Sequence, residues 1–222
     1  MCGRFSLIAD AEHLLRYYDL VNPERFSGAR FNIAPTQQVV AVIAVDGERH
    51  LEYFRWGLIP SWAKESKIGY STINARVETV ADKPAFRHAF RRHRCIIPAD
   101  GFYEWQGDTG HKRPWRIEPA NKGELFSFAG LWELWEGEGE VIRSCTIIVG
   151  AANEALQPIH ERMPLLLPRE SWSEWLDPAT DKETLERILT APASPQLRLY
   201  RVGTHVNNPR NDDPECLLPV SR

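Results

Sequence analysis

A chain of 222 residues with a formal net charge of −3 is long enough to bury a substantial core as one domain, so no dependence on disulfides is expected. Charged Arg4, Asp10, Glu12, Arg16 and Asp19 break up the first thirty residues, and no apolar run approaches a membrane span, which argues against export or insertion. The mild acidity speaks weakly against a nucleic-acid partner, but the balance is +3 over residues 1–100 and −6 over residues 101–222.

In chain order, Ala11, Leu14, Leu15 and Tyr18 recur at i, i+3, i+4 and i+7 behind Asp10, which predicts a capped amphipathic helix. Val39 to Val45 and His50 to Trp56 read as strands joined by an Asp46-Gly47 hairpin turn. Lys83 to Arg92, with Pro84 in its opening turn, reads as a short helix. It overlaps a basic run of Arg87, His88, Arg91, Arg92, His93 and Arg94, which suits either a phosphate-tracking surface or a solvated helix face. Further strands are expected at Cys95 to Ala99, Phe102 to Trp105, Leu125 to Leu131, Ser144 to Val149 and Leu197 to Val202, with helices at Arg169 to Leu176 and Asp181 to Leu189. The helices are too irregularly placed for an alternating parallel array. The expected architecture is a single α+β domain over residues 1–222, with a curved, barrel-like, mainly antiparallel sheet and flanking short helices.

The most informative local string is Met1-Cys2-Gly3-Arg4. Trimming of the initiator methionine would leave Cys2 with a free α-amine and a thiol on adjacent carbons. An α-amine ionises near ~7.7–8.0, so part of it is nucleophilic at neutral pH. Toward an aldehyde, the amine forms an imine and the thiol closes a five-membered thiazolidine, a closure favoured by tethering. Cys2, Cys95, Cys145 and Cys216 form no CxxC pair, which fits a reduced cytoplasm and supports neither a zinc ribbon nor a thioredoxin-like site. Four other strings place polar groups among apolar neighbours: Asn32 to Pro35, Ile73 to Glu78, Ala99 to Trp105 and Ile159 to Pro164. The last carries His160-Glu161, but Pro164 stands where a metalloprotease would have its second histidine, so no metal is expected.

These strings, with Val206-Asn207-Asn208 and Leu218-Pro219, resemble in order and spacing the SOS-response-associated peptidase (SRAP) family of abasic-site processing proteins, across essentially the whole chain. The resemblance implies Cys2 as nucleophile, with Asn74, Glu104 and His160 completing the active site. It also implies a covalent crosslink to the ring-opened abasic deoxyribose in single-stranded DNA, protecting the lesion, with Cys2 carrying possible autopeptidase activity that removes Met1. Gln106 departs from a lysine common at that position in the family, which puts one phosphate contact in doubt.

The residue chemistry is compatible. Glu104, flanked by Tyr103 and Trp105, suits a desolvated general acid that opens the sugar ring, and a surface glutamate on an edge strand is the plain alternative. Asn74 can donate and accept, and His160 can exchange protons near neutral pH. Arg4, Arg76 and Arg162 each neighbour one of these residues and are candidates to clamp phosphates. Asn32, Pro35 and Trp62 are further candidates for contact with DNA, Trp62 by stacking on a base. The expected partner is single-stranded DNA containing abasic sites, bound by a monomer without cofactor, metal or membrane, in a cytoplasmic protein that joins the nucleoid when on DNA. Two rival classes remain at this level: a thiol peptidase using Cys2, and a noncatalytic single-strand-binding module.

Overall fold

The computed structural model describes residues 2–22, 26–107 and 112–220. In chain order the elements are β1 (Phe5–Leu7), α1 (Ala11–Tyr18), β2 (Arg30–Ile33), β3 (Gln38–Val45), β4 (Glu48–Trp56), β5 (Asn74–Arg76), α2 (Arg87–Arg92), β6 (Arg94–Ala99), β7 (Gly101–Gln106), β8 (Arg113–Pro119), β9 (Phe126–Gly137), β10 (Glu140–Ala151), β11 (Arg162–Pro164), α3 (Trp172–Leu176), α4 (Lys182–Thr190) and β12 (Leu197–Arg201).

Strands β10, β4, β3, β6 and β9 pair in that order, and β9 pairs back onto β10, which closes a five-stranded barrel. Only the β10–β4 pairing within it is parallel. A second, antiparallel sheet runs β12-β8-β7-β1-β2. Val42, Ile96, Ile97, Phe128, Leu131 and Ile147 of these strands are all buried, and because consecutive residues such as Ile96 and Ile97 point to opposite faces, the barrel wall is covered on both sides. Phe5 of β1 meets Trp56 of β4 edge-on, ring centroids 5.2 Å apart, and so joins the small sheet to the barrel.

Local chemistry explains the boundaries. The Asp10 carboxylate accepts from the His13 backbone N–H at 2.8 Å to start α1, and Asp19 ends it in the left-handed region at φ 55°. Asp46 and Gly47 both take positive φ, the geometry a two-residue hairpin needs between β3 and β4. Gly57 is required for another reason: a Cβ there would lie 2.4 Å from the Gly69 carbonyl oxygen, so the segment leaving β4 packs backbone against backbone.

Several expectations are corrected. The helix expected from Lys83 is α-helical only over Arg87–Arg92, because the segment before it turns through Pro84 with separate bonds from Phe86 and Arg87 to the Lys83 carbonyl. Strands β1, β2, β5, β8 and β11 carried too few residues or too many charges for their periodicity to register. The basic run is not a continuous surface. Arg94 is buried, its guanidinium donating to the carbonyls of Trp175 at 2.6 Å, Phe90 at 2.8 Å and Asp177, and it ties α3 to β6. His88 and His93 pair with Glu133. All four cysteines are free and buried. No helix among the described residues is long and apolar enough to cross a membrane.

Candidate active site

The amino terminus leads into an interior strand. β1 lies between β7 and β2, with Phe5 opposite Phe102 and Ser6 opposite Gly101. The Tyr103 N–H donates to the Arg4 carbonyl at 2.9 Å, so the antiparallel register continues toward the terminus and brings Gly3 opposite Glu104. Cys2 is buried at this end of the small sheet. Its thiol is pushed up by burial and, second, by the charge of Glu104; it is therefore protonated at neutral pH.

Glu104 is buried, and its carboxyl is held above the ordinary range. Burial is the main cause, and the positive amino terminus and His160 pull the other way. Cys2, Glu104 and His160 thus form one electrostatically linked group. His160 sits in the turn before β11, where its Nδ1 lies 2.9 Å from the Arg162 backbone nitrogen and 3.2 Å from the Arg162 carbonyl oxygen, contacts that fix the ring.

Asn74 opens β5, opposite Ile147 on β10. Trp56, which packs on Phe5, donates its indole N–H to the neighbouring Ile73 carbonyl at 2.8 Å, so the same side chain braces both β1 and the start of β5. Both amide atoms of Asn74 are buried and have no hydrogen-bond partner among the described residues. An orphaned buried amide costs about 1–3 kcal/mol, and such a group persists where a ligand supplies the missing partners.

Arg4 and Asn32 come together but do different work. Arg4 Nη1 donates to Asn32 Oδ1 at 2.8 Å and to the Val206 carbonyl at 2.7 Å, and its guanidinium lies over the Trp105 ring at 5.5 Å. Asn32 was expected to touch DNA, and this is corrected: it is fully buried, its Nδ2 spent on the carbonyls of Val206, Asn208 and Asn211. It positions Arg4 instead. Asn32→Ala is expected to lower unfolding free energy by about 1–3 kcal/mol, checked by urea denaturation, because Arg4 and three carbonyls lose a buried partner.

Arg162 pairs with Glu78, and Arg76 is exposed on β5; both β5 and β11 pair with the same end of β10. Pro35 is half-buried in the turn before β3, and Trp62 is 59% exposed in the segment after β4. Residues missed at the sequence level are Trp105, whose indole donates to Asn207 Oδ1 at 2.8 Å, and Asn207 itself. The Val206-Asn207-Asn208 string was the available signal, and it is the strap that holds Asn32, Arg4 and Trp105. Gln106 bridges the Pro158 carbonyl (2.9 Å) and the Trp115 indole (3.1 Å), so it anchors the turn that leads to His160.

The sequence profile of the family described as SOS response associated peptidase (SRAP) matches residues 1–209. The chain belongs to the SRAP family. It is 41% identical over 222 residues to the abasic site processing protein YoqW of Bacillus subtilis, covering 98% of this chain and 99% of the relative. It is 37% identical over 201 residues to the abasic site processing protein HMCES of Gallus gallus, covering 80% of this chain and 60% of the relative. A crystal structure of a protein from Bacteroides thetaiotaomicron superposes with a TM-score of 0.86 at 26% identity, over 99% of this chain and all of that one. The SRAP fold of this chain, a closed mixed barrel beside an antiparallel sheet with short helices, therefore spans the single domain anticipated from its sequence.

Proposed function

We propose that this SRAP protein processes abasic sites in single-stranded DNA by forming a thiazolidine between Cys2 and the C1′ aldehyde of the ring-opened deoxyribose. The observation that carries this reading is the buried Glu104 carboxyl, its proton affinity raised by burial and its charge coupled to both the Cys2 thiol and His160. The names of the relatives support the substrate class.

The reaction begins with loss of Met1, by Cys2-dependent self-cleavage or by an aminopeptidase, which makes the Cys2 nitrogen the first atom of the chain. Glu104 gives its proton to the sugar ring oxygen as the hemiacetal opens, and His160 takes the proton released by the C1′ hydroxyl. The Cys2 amine adds to the aldehyde, and the His160 imidazolium returns that proton to the carbinolamine hydroxyl as water leaves. The Glu104 carboxylate then takes the proton of the thiol as sulfur attacks the imine carbon, so one water is the only product besides the ring. A thiol that ionises with difficulty needs such a base, and the base has been generated next to it. Asn74 satisfies its amide on the sugar or the attacking nitrogen, and Arg4, Arg76 and Arg162 receive the flanking phosphates.

Incubation with a uracil-containing oligonucleotide treated with a glycosylase, followed by a denaturing gel and intact mass, tests this. The expected species has the mass of des-Met1 protein plus the oligonucleotide less one water. Retention of Met1 on an active protein, or binding that dissociates entirely in denaturant, would sink the proposal. Trp62→Ala is expected to weaken single-strand binding by about 1–3 kcal/mol, the size of one base stack, without moving the melting temperature of a side chain so exposed; fluorescence anisotropy and thermal denaturation measure the two.

A further inference from the structure

We propose that His88, His93 and Glu133 form a binding site for a first-row transition-metal dication of the Zn(II) type. The three side chains come from separate places in the fold: His88 from α2, His93 from the residue that ends it, and Glu133 from β9. One ligand atom from each lies within 4.8 Å of the other two.

Glu133 makes the cluster more than a surface ion pair. Its side chain is only 4% exposed, on a strand whose neighbouring inward residues Leu131 and Trp135 are buried, and each carboxylate oxygen faces a different imidazole. His88 Nδ1 is 2.6 Å from Oε1, and His93 Nδ1 is 3.4 Å from Oε2. The His93 ring is fixed by stacking on Trp132, centroids 4.4 Å apart, and its backbone carbonyl accepts from the Trp132 N–H at 2.8 Å. His93 Nδ1 is buried, and although Glu133 Oε2 lies 3.4 Å away the two do not form a hydrogen bond.

Two imidazoles and one carboxylate are the donor set that Zn(II), Co(II), Ni(II) and Cu(II) accept, and three protein ligands leave a fourth position for water. Tetrahedral coordination with arms of about 2.0–2.1 Å sets neighbouring ligands about 3.3 Å apart. The His93–Glu133 spacing already matches, and the remaining adjustment falls on His88, whose side chain is 58% exposed and free to rotate. The expectation of no metal rested on the cysteine spacing and the His160 string; this trio is invisible in sequence because Glu133 arrives from a strand 45 residues beyond His88.

The test uses tag-free, chelator-treated full-length protein, titrated with ZnCl2 by calorimetry and with CoCl2 by visible absorption. One equivalent of metal is expected, with Co(II) bands of four-coordinate intensity and no thiolate charge-transfer band. His88→Ala is expected to weaken binding by roughly 100-fold or more, since even loss of a group one step removed from a metal costs about 10–100-fold. His88 is the exposed member, so this variant keeps its fold and keeps the test decisive if Glu133→Gln does not. The second cluster of potential ligands, His205, Asp213 and Cys216, serves as the control. Asp213→Asn should leave the titration unchanged. Wild-type binding no tighter than that of His88→Ala, or a thiolate band that disappears in Asp213→Asn, overturns the assignment.

Discussion

Cys2→Ala is expected to abolish the heat-stable adduct with an abasic oligonucleotide while leaving a transient one that borohydride can trap. The variant separates the two nucleophiles. Alanine at the second position still permits removal of Met1, so the α-amine is retained and imine formation continues. What disappears is the intramolecular second step, in which tethering supplies an effective concentration of order 10⁵ M or more and converts a hydrolysable imine into a closed ring. The effect should therefore be read in persistence rather than in initial capture. After heating or prolonged dilution, wild-type protein stays on the strand and the variant leaves it. An alanine variant as durable as wild type would remove the thiol from the mechanism.

Glu104→Gln carries the second large effect, in two opposite directions. Crosslinking should slow by about 10²–10⁴-fold, the usual contribution of a positioned proton donor, because glutamine keeps the shape and the hydrogen bonds but has no proton to transfer. Affinity for intact single-stranded DNA should be unchanged. Stability should move the other way. The folded carboxyl is raised above its unfolded value by burial, so the native state holds the proton more tightly than the unfolded chain. With fewer protons on the unfolded state, stability declines as pH rises from the unfolded pKa, about 4.3, toward the raised folded one. Glutamine escapes this penalty. Urea midpoints should place the variant above wild type at neutral pH, with the gap closing on acidification toward pH ~4. Equal midpoints at neutral pH would mean that the carboxyl is not desolvated, and the acid role would fall with it.

The parts of the fold legible in sequence are those with strong local periodicity. α1 keeps its predicted start at Asp10, and the β3–β4 hairpin turns at Asp46-Gly47, because capping and positive φ are decided within a few residues. Strands β9 and β10 run further than their apolar stretches suggested, Phe126–Gly137 and Glu140–Ala151, since their polar outer ends are paired with each other through the register Glu140 opposite Gly137. The short strands β1, β5 and β11 exist through long-range pairing and carry almost no local signal. They are the strands that place Cys2, Asn74 and His160. The proposed site residues could be named from the sequence because cysteine, glutamate and histidine are unusual in apolar strings, whereas the partners of the buried polar groups could not. Asn32 and Arg94 look like polar groups offered to a ligand, and only the three-dimensional partners reveal them as internal struts.

The position of β1 between β7 and β2 also limits how far the terminus can travel. With Met1 removed, as proposed, Cys2 and Gly3 would precede Arg4, which is already tied to Tyr103 and Val206. At about 3.3–3.6 Å per extended residue, the free leash from Arg4 would be roughly 7 Å at full stretch. On the proposed chemistry, a nucleophile on so short a leash could not search for its target, and the damaged sugar would have to be delivered to it, which a pliant unpaired strand can do and a stiff duplex cannot.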